Sequence, residues 1–173
     1  CWMALLEGRE EVRALLDEHE HIDLIIPRGG NEFVQYIMNN TNIPVMGHAD
    51  GICHVYVDSA ADLERAVDIV VDSKTQYVSV CNAAETLLVH DDVADSALPR
   101  IAEALQDKGV ELRLDERAYS VLSGAFSVKR ASEKDWKTEY LDYVVSVRVV
   151  DSLAAAVTHI NRYGSHHTDS IVT

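Results

Sequence analysis

Val80-Cys81-Asn82-Ala83-Ala84-Glu85-Thr86-Leu87-Leu88-Val89-His90 is the stretch around which the rest of the chain arranges itself. Thr86-Leu87-Leu88-Val89 is a short apolar run, the mark of a strand buried on both faces. Ahead of it, Cys81 follows Ser79-Val80 and precedes small residues. Small side chains beside a sulfur leave room for a substrate. They also let backbone N–H groups face the atom under attack, as acyl transfer needs. A thiol must ionise to be a good nucleophile, so such a site needs positive potential or aligned dipoles. Residue type alone favours the plainer reading, a buried and inert cysteine, because free cysteine is among the most buried residues.

Working outward from this strand, helical and strand patterns alternate. Downstream, Val93 to Lys108 reads as a helix ended by Gly109. Val110 to Leu114 reads as a strand and Arg117 to Leu122 as a short helix. Ser123 to Lys137 is polar and irregular, a surface loop in which Trp136 has no evident role. Tyr143 to Val150 is a valine-rich strand, and Asp151-Ser152 opens a helix through Asn161. Upstream, Asp58 or Ser59 caps a helix to about Lys74, with Leu63, Ala66, Val67, Val70 and Val71 as its buried stripe. Val45-Met46 and Ile52 to Val57 are strands on either side of a Gly47–Gly51 turn. Glu32 to Asn39 is a helix with Phe33, Val34, Ile37 and Met38 inward. Glu7 to Glu20 is a helix with Val12, Leu15 and Leu16 on one face. Ile22 to Ile26 is an apolar strand ended by Pro27, and Gly29-Gly30 lets the backbone turn or approach a ligand. Helices feeding apolar strands predict an α/β fold with a buried parallel sheet.

The chain has 173 residues, a hydrophobic fraction of 47% and a net charge of −14. Its length allows a sizeable core and its composition is globular. No apolar run approaches the ~18 residues of a spanning helix, and the start lacks the pattern of a signal peptide. The charge argues against nucleic acid or an anionic membrane as partner. Three scattered cysteines make no disulfide framework, which fits a reducing, cytoplasmic setting. The chain does not begin with methionine and stops inside an apparent strand, as a piece of a longer protein would.

Several other residues invite a chemical reading. His48, Cys53 and His54 suggest a metal, but neighbours on a strand face opposite ways and cannot easily share an ion. No metal is expected, and Cys53 reads as a packed core residue. His48 and Asp50, in a glycine-flanked turn, are either near an active site or simply hydrogen-bonded in the turn. His166 and His167 are either an anion-binding or proton-donating pair or structural residues.

Four segments together resemble the gamma-glutamyl phosphate reductase family, also called glutamate-5-semialdehyde dehydrogenase, a branch of the aldehyde dehydrogenase superfamily. They are Val80–His90, Asp23-Leu24-Ile25-Ile26-Pro27-Arg28-Gly29-Gly30, Pro44 through Asp58, and Tyr163-Gly164-Ser165-His166-His167-Thr168-Asp169. The resemblance implies that Cys81 is the catalytic nucleophile, with Asn82 beside it. It implies that Glu139, in Thr138-Glu139-Tyr140-Leu141-Asp142, holds the nicotinamide ribose, although the flanking residues depart from the superfamily pattern. Gly29 and Gly30 are candidate cofactor-binding residues, and His48, Asp50 and His167 candidate substrate-binding residues; the resemblance gives His167 a place in the family motif without naming its role. Residues 1–30 would be the end of a dinucleotide-binding domain, and 31–173 a catalytic domain incomplete at its C-terminal end. Aldehyde-oxidising relatives carry a water-activating glutamate two residues before the Gly-Gly pair. Here that place is Pro27, as suits a thioester that must not be hydrolysed. The implied reaction is NADPH-dependent reduction of L-glutamyl 5-phosphate in proline biosynthesis, by a homo-oligomer. The alternatives are a general aldehyde dehydrogenase, and a folded fragment without turnover of its own.

Overall fold

The computed structural model describes residues 3–47 and 50–173. The chain packs as two compact units, Cys1–Ala49 and Asp50–Thr173. This is a division by packing, whereas the Gly30 boundary drawn from the sequence is a division by role. The first unit holds α1 (Arg9–Leu15) and α2 (Asn31–Asn39). Its small core includes Leu16, Val34, Ile37 and Ile43. α1 is shorter than its charge and apolar pattern suggest. The expected strand at Ile22–Ile26 is a single parallel bridge, Ile25 to Val45, with no further strand pairing to it among the described residues. On α2 only Val34 and Ile37 are buried, while Phe33 and Met38, expected inward, are exposed.

The second unit alternates strands and helices: β1 (Cys53–Val57), α3 (Leu63–Thr75), β2 (Ala84–His90), α4 (Asp91–Asp107), β3 (Glu111–Leu114), α5 (Glu116–Leu122), β4 (Lys129–Arg130), β5 (Val144–Val150), α6 (Leu153–Tyr163) and β6 (Asp169–Val172). The six strands form one sheet in the order β4-β3-β5-β2-β1-β6, and every pairing is parallel. β2 lies inside the sheet, with Leu87 opposite Val55 on one side and Val147 on the other. Leu87 and Val89 pack into the large core that α3, α4 and α5 close. Leu88 points the other way, into a cluster with Tyr56 and Ala156 of α6. Burial on both faces is why β2 reads as an unbroken apolar run rather than an alternating one.

The helix ends follow local chemistry. Ser152 caps α6 and Asp115 caps α5, each accepting a backbone N–H of the first turn. Gly109 ends α4 at φ +78°, a conformation that disfavours other residues. α3 starts later than expected: Asp62, not Asp58 or Ser59, accepts the Glu64 and Arg65 N–H groups. Asp58 is occupied instead by the Tyr56 hydroxyl at 3.0 Å. The segment expected as a surface loop, 123–137, contains β4 and a 3-10 turn in which Asp135 and Trp136 are buried. Asp135 accepts from Arg113 Nη1 (2.6 Å), Ser132 Oγ (2.6 Å) and the Tyr140 hydroxyl (2.9 Å). Burial opposes its charge, but these bonds outweigh burial and hold the carboxyl well below the usual carboxylate range.

Candidate active site around Cys81

Cys81 lies in the turn that leads from α3 into β2, at the amino end of the sheet, and its side chain is exposed. Ala83 and Ala84 are buried behind it. The turn is closed by the Val80 N–H on the Tyr77 carbonyl (3.3 Å) and the Ala83 N–H on the Val80 carbonyl (3.0 Å). Cys53 Sγ donates to the Cys81 carbonyl at 3.3 Å, which pins the backbone under the exposed thiol. Burial pushes the Cys53 thiol up to about 11, so it stays protonated and is able to donate at neutral pH. The two sulfurs therefore differ in kind: one buried and structural, the other open to solvent.

Gly51 joins Cys81 to Glu139. Its N–H donates to Glu139 Oε1 at 3.0 Å. A β-carbon at Gly51 would collide with the Cys81 carbonyl oxygen and lie 2.6 Å from Glu139 Oε1. Only glycine lets three segments distant in sequence meet this closely. Asp50 is the exposed neighbour of Gly51. The next residue, Ile52, donates its N–H to Ser165 Oγ at 2.9 Å, so the turn after α6 is tied to the same strand. His54 completes the tie: its N–H and its Nδ1 both meet Asp169 Oδ1, at 3.0 and 2.9 Å.

Of the residues singled out from the sequence, Cys81, Asn82, Glu139 and Asp50 thus cluster at the amino end of β1 and β2. Asn82 also lines a pocket of about 330 Å³ with Cys53, Gln76, Tyr77 and Thr168. His167 is half-buried on the turn before β6, with Nδ1 2.7 Å from Thr168 Oγ1. Gly29 and Gly30 belong to the first unit, just ahead of α2; Gly30 is its N-cap. His48 lies outside the described residues. No group of three or more metal-ligating side chains occurs among the described residues.

Two residues of the site went unnoticed in the sequence. Lys74 Nζ and Glu85 Oε2 form an ion pair of 2.7 Å with both side chains buried. Burial is the largest influence on each: it raises the Glu85 carboxyl to about 7 and lowers the Lys74 ammonium. The signal was available. Lys74 continues the spacing Ala66, Val70, Lys74 along the buried stripe of α3, a place where a lysine needs a partner.

Residues 3–134 match the profile of the aldehyde dehydrogenase family. Over 99% of its length the chain is 57% identical to a gamma-glutamyl phosphate reductase of Acetivibrio thermocellus. Over 98% it is 53% identical to that of Methanococcoides burtonii. It spans 38 to 39% of the length of these relatives. The crystal structure of the gamma-glutamyl phosphate reductase from Thermotoga maritima superposes with a TM-score of 0.92 at 39% identity, covering 96% of this chain and 39% of that one. No helix among the described residues is long and apolar enough to cross a membrane. With Cys81 exposed at the amino end of a parallel sheet and the profile matched over most of its length, the chain belongs to the aldehyde dehydrogenase family.

Proposed function

We propose that the whole protein is a gamma-glutamyl phosphate reductase. It would reduce L-glutamyl 5-phosphate to glutamate-5-semialdehyde and phosphate, a step of proline biosynthesis, in the cytoplasm and as a homo-oligomer. Residues 1–30 would close its dinucleotide-binding part and 31–173 supply the cysteine-bearing part. The observation that carries this reading is the exposed Cys81 thiol, in a sequence 53 to 57% identical to curated reductases.

The Cys81 thiolate attacks the acyl carbon, the acyl–oxygen bond to phosphate breaks, and phosphate leaves with the bonding pair. The oxyanion that forms on the way faces backbone N–H groups. The Ala83 N–H is already bonded to the Val80 carbonyl, so the Cys81 and Asn82 N–H groups are the donors for this role. Cys53, by holding the Cys81 carbonyl, keeps that peptide from rotating. A nicotinamide cofactor fits here: Glu139 stands against Gly51 and the Cys81 backbone, where a carboxylate can accept from ribose hydroxyls. Gly29 and Gly30 are also proposed for the cofactor. NADPH, when bound, would supply the hydride that reduces the Cys81 thioester; the carbon–sulfur bond then breaks, the aldehyde leaves and the bonding pair returns to Cys81 as thiolate. His48, Asp50 and His167 are the side chains proposed for the substrate.

Pro27 separates this reading from a general aldehyde dehydrogenase, because it can neither take nor give the proton that thioester hydrolysis needs. In the full-length enzyme Cys81→Ala is expected to cut NADPH-dependent turnover of glutamyl phosphate to below about a thousandth of wild type. Turnover near the wild-type level, read by NADPH absorbance, would exclude the mechanism.

A further inference from the structure

The Lys74–Glu85 pair is not among the residues given a role above, yet it reaches the same site. The two charged atoms are 2.7 Å apart and both side chains are at most 1% exposed. A buried ion pair is poor at adding stability, because desolvation offsets the attraction. What it can add is geometry. The second oxygen, Glu85 Oε1, accepts the Leu141 N–H at 3.3 Å. Leu141 sits at φ +53°, a conformation that leucine avoids unless its surroundings enforce it. Its carbonyl is held too, by Ser79 Oγ at 3.3 Å. Ser79 and Glu85 lie on either side of Cys81 in the sequence. The turn they grip begins with Glu139, whose carboxylate meets Gly51 against the Cys81 carbonyl.

We propose that Glu85, held in place by Lys74, is a positioning residue that fixes the Glu139 turn relative to Cys81. The nucleophile's own strand thereby sets where the ribose of the cofactor is held. This rests on the reductase reading above, and its test separates the two.

In the full-length enzyme, Lys74→Gln with Glu85→Gln replaces the ion pair by neutral amides and keeps an oxygen for the Leu141 N–H. Lys74→Met with Glu85→Leu removes that oxygen. The Met/Leu variant is expected to raise KM for NADPH roughly fivefold, the size set by one part-buried donor left unpaired. The Gln/Gln variant should return it to within about twofold of wild type. A pair without this role would leave KM for NADPH unmoved in both variants, whatever happens to Tm, which would overturn the proposal. Should the Met/Leu variant fail to fold, Ser79→Ala decides. A rise of about threefold in KM for NADPH at unchanged Tm supports the grip on Leu141, and an unchanged KM overturns it. If Cys81→Ala keeps its turnover, the reductase reading falls and this proposal with it. If Cys81→Ala is dead while KM for NADPH stays put in every variant, only the positioning role falls.

Discussion

In the second unit Thr86-Leu87-Leu88-Val89 is buried along its whole length. In the first unit Leu24 and Ile26, part of an equally apolar run, are 42% and 56% exposed. The two runs look alike in sequence. They differ in what they find to pair with. β2 has β1 on one side, β5 on the other, and helices over both faces. Ile22–Ile26 has one bridge, to Val45. Apolar patterning states what a segment is able to bury. Neighbouring strands decide whether it does.

Hydrogen exchange is the broadest way to break this contrast. Backbone amides of Leu87, Leu88 and Val89 should exchange only through global opening, with protection on the order of 5 kcal/mol or more. Ile25 and Met46, at the lone bridge, should show protection near zero. Similar protection in both places would show that the runs are equally secured. A narrower probe uses matched truncations read by urea denaturation. Leu88→Ala, at a site with no exposure, should cost about 2–5 kcal/mol. Leu24→Ala should cost no more than about 0.5 kcal/mol.

An effect smaller than that of Leu88→Ala concerns the polar interior of the second unit. His159 is 4% exposed, and its Nε2 has no partner among the described residues. Burial, then the neighbouring His54, Arg148 and Arg162, push its pKa down to about 3. The unfolded chain would take up that proton near 6.5. The folded state, with the lower pKa, therefore loses stability as pH falls from about 6.5 toward 3, and is not affected by this group above 6.5. The expected slope is at most about 1.4 kcal/mol per pH unit. His159→Asn should flatten it in Tm measured between pH 7 and pH 5. An unchanged slope in the variant would assign the acid sensitivity to other groups.

Much of the fold was legible because the strands and helices after Pro44 carry their own periodicity. The Val80–His90 stretch also announced both a strand and a nucleophile. Three kinds of feature were not legible. The capping of α3 by Asp62 rather than Asp58 depends on the Tyr56 hydroxyl, a partner from the preceding strand. The burial of Trp136 depends on rings brought by α6, His159 at 5.4 Å and Tyr163 beyond it. The meeting of Gly51 with Glu139 spans 88 residues of chain, a separation at which local patterning is silent. The candidate site follows the same division. Cys81 could be named from its own segment, but the carboxylate that stands beside it could be placed only by the resemblance, and Glu85 only by the coordinates.

The strand order has a consequence for synthesis. β5 is inserted between β2 and β3, so β3 has no neighbour on the β2 side until residues 144–150 exist. While the chain emerges from a ribosome, β1 and β2 can dock as soon as both are made. β3 must wait, one edge uncovered, for a strand that is translated later, while α4 can already pack on α3 and β2. Vectorial growth therefore cannot complete this sheet piece by piece, and a nascent polypeptide halted before Val144 would present a half-built platform to chaperones.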